Sequence, residues 1–175
     1  MEILKCPTSK TKDSTAFILI DMQTKLVKKL RLGDADRIIP NQLSAIRHCN
    51  QFGIPIIVLE LYKEEFDRTI DVLINEIKGN PNFYIIEKKY DSGFAGTNLD
   101  DLLRHLNAKK LFIAGIYADL CVKATASSAL NEGYEIFTSN QVIAGRADHS
   151  KDNNMRWFRS NAGCTDDITE LINPF

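Results

Sequence analysis

The sequence lacks an excess of charge of either sign. Lys and Arg total 22 against 23 Asp and Glu, a formal net charge of −1. Binding nucleic acid through the overall field needs a positive surplus, so no nucleic-acid partner is expected. No apolar run approaches the ~20 residues of a membrane-spanning helix, so no membrane partner is expected either. The opening segment MEILKCPTSKTKDST has neither the basic start nor the long apolar stretch of a secretory leader. Cys6, Cys49, Cys121 and Cys164 form no CxxC pair, so they read as reduced thiols of a cytoplasmic protein. Nucleotide and hydrolase signatures are missing too. There is no GxGxxG after the first apolar run, no GxxxxGK[ST], no GxSxG and no HExxH. The three histidines, His48, His105 and His149, do not cluster with the cysteines into a zinc set. No metal and no cofactor is expected.

What is present is one domain's worth of chain, 175 residues with 44% apolar content, enough to bury a core without staples. Residues 1–14 read as a loose polar arm and residues 15–175 as a single domain. Short apolar runs alternate with helical patterns. Ala16 to Ile20, Ile54 to Leu59, Phe83 to Ile86, Leu111 to Gly115 and Tyr134 to Phe137 read as strands, with a last short one near Cys164-Thr165. Helices are expected over about 36–52, within 61–80, over 98–106 and 121–132, and over about 149–162. Pro40 is expected in the first turn of its helix, where a missing N–H costs nothing. Strands that alternate with helices imply a parallel sheet, and unbroken apolar strands imply cover on both faces. The fold class is therefore α/β, a three-layer α/β/α arrangement around a roughly six-stranded, mostly parallel, doubly wound sheet.

In such sheets the ligand site lies beyond the carboxyl ends of the strands. Asp21, Glu60, Glu87-Lys88-Lys89 and the stretch from Ile116 to Cys121 all fall there. Taken singly, each has a plain structural role: a turn aspartate, a solvated lysine, a small core thiol. Together they form a constellation for nucleophilic catalysis. Cys121 stands at the expected start of a helix, whose free N–H groups and partial positive charge favour a thiolate and lower the thiol pKa. Asp21 is the candidate proton acceptor and a neighbouring lysine its counter-charge. His48 and His105 lie on helices away from that edge, and His149 reads as a residue at a helix start.

The segments that carry these residues also resemble the isochorismatase-like cysteine hydrolases, a family that includes isochorismatases, nicotinamidases and N-carbamoylsarcosine amidases. Phe17-Ile18-Leu19-Ile20-Asp21-Met22-Gln23 is similar to the family's strand ending in Asp-Met-Gln. Glu87 to Leu99, EKKYDSGFAGTNL, is similar to its lysine segment. Gly115 to Thr125, GIYADLCVKAT, is close to its nucleophile loop. The resemblance implies a triad of Asp21, Lys88 and Cys121, with Lys88 rather than Lys89 aligned by counting back from Phe94. It implies an oxyanion hole from the N–H groups of Ala118 and Cys121, aimed by a cis peptide between Tyr117 and Ala118. Gln23, Tyr117 and Phe94 become candidate substrate contacts, and a homo-oligomer is expected.

The chain departs from the family pattern in several places. Thr24-Lys25-Leu26 replaces an Asn-Asp-Phe, so an aromatic wall of the pocket is missing or supplied elsewhere. The segment Glu60 to Phe66 has no histidine where nicotinamidases carry Asp-x-His-x-x-His. Ala118 replaces a threonine, and Tyr117 is bulkier than usual. The leading expectation is a metal-free hydrolase of a small amide or ureido substrate acting through a thioester. A second is vinyl-ether hydrolysis of an isochorismate-like anion, with Asp21 as proton donor and Lys25 and Arg146 as candidate cations. A third, of another class, is a binding or redox-responsive protein with a reactive Cys121 and no turnover.

Overall fold

The structure is a computed structural model that describes residues 14–147 and 151–167, the side chains of 151–154 excepted. Among these residues seven strands form one sheet in the order β3-β2-β1-β4-β5-β7, with β6 beside β4, and every strand pairing is parallel. The strands are β1 (Ser14–Ile20), β2 (Ile56–Leu61), β3 (Phe83–Lys88), β4 (Ala108–Ile116), β5 (Glu135–Ser139), β6 (Ile143–Ala144) and β7 (Gly163–Thr165). The helices are α1 (Thr24–Val27), α2 (Asp34–Phe52), α3 (Lys63–Phe66), α4 (Asp71–Ile77), α5 (Leu99–His105), α6 (Lys123–Asn131) and α7 (Lys151–Asn161). Helix α2 packs on α4, α5 on β4 and α6 on β5. The expected α/β class with flanking helices is the fold observed. The expected arm lies outside the described residues except for Ser14, which already pairs with Ala108.

The chain winds one way from β1 to β3 and the other way from β4 to β7, so the direction reverses between β1 and β4. These strands are the buried centre. Ala16 to Ile20 and Leu111 to Ile116 are nearly or fully buried, apolar on both faces because helices cover both. Phe17 and Phe112 face one another in register, their rings edge to face at 5.2 Å. Strand β3 differs. It is an edge strand, and only Ile86 and Lys88 turn inward while Ile85 and Glu87 face out. Its apolar stretch looks continuous in sequence but is buried only in part.

Two local expectations need correction, and one strand, β6, was not among those expected. Helix α2 begins at Asp34, so Pro40 lies inside it rather than in its first turn. The helix tolerates this at an exposed position, where the Asp36 carbonyl left without an N–H remains open to water. Strand β6 has only two residues, too short to show a period. The helix expected from Cys121 starts at Lys123 instead, and Cys121 belongs to a π-helical turn over Ala118–Val122.

At the β1–β4 junction, Gly115 adopts φ +143° beside Ile20, and a Cβ there would sit 2.2 Å from the Ile20 carbonyl oxygen. Only glycine lets the two strands close at this point. Gly115→Ala is expected to destabilise the fold by roughly 1–3 kcal/mol through overpacking and to displace the residue after Ile20. Denaturant unfolding measures this, and an unchanged midpoint would contradict it.

Candidate active site

The carboxyl ends of β1, β3 and β4 carry the three residues singled out from sequence. Asp21 follows β1 with φ +57° and its N–H donates to the Leu59 carbonyl, which turns the side chain away from the strand line. Lys88 ends β3, paired in register with Leu61 across β2. Its Nζ donates to Asp21 Oδ2 at 3.0 Å and to the Tyr90 carbonyl at 3.3 Å. Both side chains of this ion pair have zero exposure. Lys89, the neighbour in sequence, is exposed. Asp21 Oδ1, the other carboxylate oxygen, is buried and receives no well-formed hydrogen bond.

Cys121 completes the cluster. Tyr117 enters the left-handed region at φ +61°, and its carbonyl accepts the N–H groups of both Leu120 and Val122, at 2.9 and 3.2 Å. The wide turn between them places Cys121 beside Asp21. Single π turns of this kind recur at functional sites. The peptide between Tyr117 and Ala118 is trans, against the expected cis bond. Asp119 locks the turn from outside, since Arg146 donates to it from Nε at 3.0 Å and from its backbone N–H at 3.3 Å. Burial raises the Asp119 carboxyl, but its own N–H and Arg146 outweigh this and hold it low.

The electrostatics of the cluster correct one expectation. Burial pushes the Cys121 thiol well above its ordinary range, the Asp21 charge pushes it further, and Lys88 opposes both. The expected lowering fails because the sulfur is buried next to a carboxylate and lies within a π turn, not at a free helix start. Burial also raises the Asp21 carboxyl, while the Lys88 charge pulls it back. The thiol and the carboxyl thus compete for one proton. Burial also raises the other described thiols, pushing Cys49 up to about 12 and Cys164 above its ordinary value. Cys6 and His149 lie outside the described residues.

The candidate substrate contacts divide. Tyr117 is half-buried at the cluster, its hydroxyl raised by burial and by the charges of Cys121 and Asp21. Gln23 is no substrate contact. It is fully buried, its amide donates to the Leu61 and Asp67 carbonyls, and its Oε1 accepts the Leu61 N–H. With every polar atom occupied, it clamps the segment after β1 to the end of β2. Phe94 turns to Tyr134, ring centroids 6.0 Å apart, and packs on the core. Glu60 is likewise structural, its carboxylate accepting the N–H and hydroxyl of Thr69. Among the described residues no group of three His, Cys, Asp or Glu side chains is placed to hold a metal ion.

Two features escaped the sequence reading. Asp91 Oδ1 lies 3.8 Å from Cys121 Sγ and accepts its S–H. An exposed acid in a turn reads as a solvated charge, so nothing in the sequence marked it. A pocket of about 270 Å³ also opens beside Ala118, lined by Arg31, Arg37, Arg146 and Arg159 together with Asp34. Of these only Arg146 had been noted, as a possible cation. No helix of the described residues is long and apolar enough to cross a membrane.

The chain is similar to known proteins. A streptothricin hydrolase of Streptomyces noursei is 26% identical over 137 residues, 74% of this chain and 54% of that protein. The nicotinamidase of Staphylococcus aureus superposes with a TM-score of 0.74 and 25% identity, covering 88% of this chain and 100% of its own. The N-carbamoylsarcosine amidase of Thermoplasma acidophilum gives 0.70 and 25%, covering 87% and 95%. The chain spans 35% and 54% of the lengths of two curated relatives that it matches. The model of the Isochorismatase domain matches residues 15–167. With most of its length inside that match, the chain belongs to the isochorismatase family, whose matched members include hydrolases and amidases.

Proposed function

We propose that this chain is a metal-free cysteine hydrolase of small amide or ureido compounds, working through Asp21, Lys88 and Cys121. The observation that carries the reading is the buried Asp21–Lys88 pair with the Cys121 thiol acting on the same carboxyl. Proton affinities support it. An ordinary carboxylate is a poor acceptor for a thiol proton, whereas burial raises Asp21 toward the range of a useful base. In the free protein the proton rests on sulfur. When a carbonyl occupies the site, the proton moves to Asp21 and the sulfur attacks the carbonyl carbon. The N–H groups of Ala118 and Cys121 are the proposed donors to the oxyanion. In support, the N–H bonds that enter Tyr117 O come from Leu120 and Val122, not from these two residues. Collapse expels the amine, which takes the proton from Asp21. Water then attacks the thioester, gives a proton to Asp21, and the sulfur leaves and recovers it.

The amidases among the structural relatives are consistent with this chemistry. The donor set supports a reaction without metal, because the segment after β2 has no histidine and Glu60, near the end of β2, is held by Thr69. The homo-oligomer and the cytoplasmic setting expected from sequence belong to the same proposal. A second reading is favoured by the arginine-lined pocket at Ala118, which suits an anionic substrate and hence vinyl-ether hydrolysis with Asp21 as the proton donor.

Three outcomes test these readings. On amide and ureido panels, Cys121→Ala and Asp21→Asn are each expected to lower turnover by about a thousandfold or more, as loss of a nucleophile or base does. Full turnover in both variants would sink the mechanism. Activity kept in Cys121→Ser but lost in Asp21→Ala would instead select the vinyl-ether reading.

Thiol labelling gives a less obvious outcome. The Asp21 charge raises the thiol pKa, so removing it lowers that pKa and increases the thiolate fraction at a given pH. Asp21→Asn should therefore label faster at Cys121 with iodoacetamide near pH 8 even as turnover falls. Slower labelling would mean that Asp21 already deprotonates the thiol in the free protein.

Lys88→Met is expected to cost roughly 3–5 kcal/mol of stability, because it leaves Asp21 a buried charge without its partner. The double variant with Asp21→Asn should recover much of that loss in denaturant unfolding. No recovery would show that Lys88 stabilises the fold by some route other than this pair.

A further inference from the structure

Two carboxylates flank the Cys121 sulfur. Asp21 lies inward, without exposure, and its charge is matched by Lys88. Asp91 lies outward, exposed, with Oδ1 3.8 Å from Sγ. Its position is built. Lys88 Nζ grips the Tyr90 carbonyl as well as Asp21, so one ammonium places both carboxylates. On the other side of Asp91 the turn is fastened to α6. The Gly93 N–H donates to Thr125 Oγ1 at 2.9 Å, and Ser92 and Ser128 hydroxyls pair at 2.8 Å. Gly93 itself is packed so closely that a Cβ would lie 2.3 Å from Leu59 Cδ1.

The charges around the sulfur do not cancel. Lys88 is paired to Asp21 and Arg146 to Asp119, which leaves Asp91, among the described residues, as the carboxylate next to the nucleophile that forms no ion pair. A fixed negative charge there repels a second one brought in by a ligand, and attracts donors. Resting on the hydrolase reading above, we propose that Asp91 determines the specificity of this site. It holds a negative charge beside the sulfur so that the site takes compounds neutral or cationic around the scissile carbonyl and turns carboxylates away. Neutral amide and ureido groups, which present N–H donors, fit this rule. A substrate with a carboxylate near the reacting carbon does not.

The test needs no substrate. Methanethiosulfonate reagents of one size but different charge, cationic aminoethyl, neutral methyl and anionic sulfonatoethyl, are applied to the full chain, and labelling at Cys121 is read by mass spectrometry apart from the other thiols. The cationic-to-anionic rate ratio, corrected for intrinsic reactivity, should favour the cation. It should fall about 25-fold in Asp91→Asn, because a charge ~4 Å away in a wet environment speeds the cation and slows the anion by about fivefold each. Asp91→Glu should restore most of it, and salt should erode it in the parent protein, since an exposed charge is screened. A turn that Asp91 merely shaped would not show that salt dependence. A ratio unchanged in Asp91→Asn overturns the proposal, as does a preference for the anion, which would hand selectivity to the arginine pocket. Absence of labelling by all three reagents also overturns it, because the proposal requires a path past Asp91 to the sulfur. Charge selection without turnover on any amide panel would sink the hydrolase reading alone.

Discussion

A lysine and an aspartate, both wholly removed from water, hold this site together. Burying either alone costs several kcal/mol, and only their contact at 3.0 Å makes the arrangement tolerable. Much of the neighbourhood follows from that constraint. The ion pair spans from the end of β1 to the end of β3, so β2 must lie between them at the correct register. Lys88 retains a second hydrogen bond to Tyr90, which fixes the start of the segment that carries Asp91. Asp21, matched but desolvated, becomes a stronger proton acceptor than a surface carboxylate, and its charge keeps the proton of the nearby thiol in place.

Around this pair the fold uses polar side chains as fasteners. Gln23, Glu60, Thr125 and Asp119 each satisfy buried or partly buried backbone groups of the loops at the sheet edge. Loops there carry backbone N–H and carbonyl groups that no strand partner can satisfy, and unpaired buried groups are costly. Rigid loops let three residues far apart in sequence meet with defined geometry.

The parts of this organisation that were legible in sequence share a cause. The strands β1, β2 and β4 announce themselves because burial on both faces demands unbroken apolar runs. Asp21, Lys88 and Cys121 stand at strand ends, where chain topology dictates a site, and the segments that carry them resemble a known family. What escaped depends on contacts between distant residues. Gln23 follows Asp21 closely and reads in sequence as free to meet a ligand, but its amide groups go to Leu61 and Asp67. Phe94 has the right neighbours in sequence, yet its ring meets Tyr134. Tyr117 takes a positive φ, a conformation that residue type alone does not foretell. The rise of the Cys121 thiol depends on how deeply the turn sinks beside Asp21. Asp91 shows its relation to sulfur only once the turn has been fastened to α6.

The pairing of Asp21 with Lys88 across 67 residues of chain also bears on how the protein forms. Neither side chain can leave water early, because each would enter the interior as a lone charge. Both must wait until β2 has inserted between β1 and β3. Contacts of such long range close late, since chain entropy has to be spent before they return anything. The reactive centre is therefore expected to assemble only as β2 docks between its neighbours, and a chain in which β2 is not yet in place would hold a solvated lysine and a solvated aspartate but no half-built nucleophile.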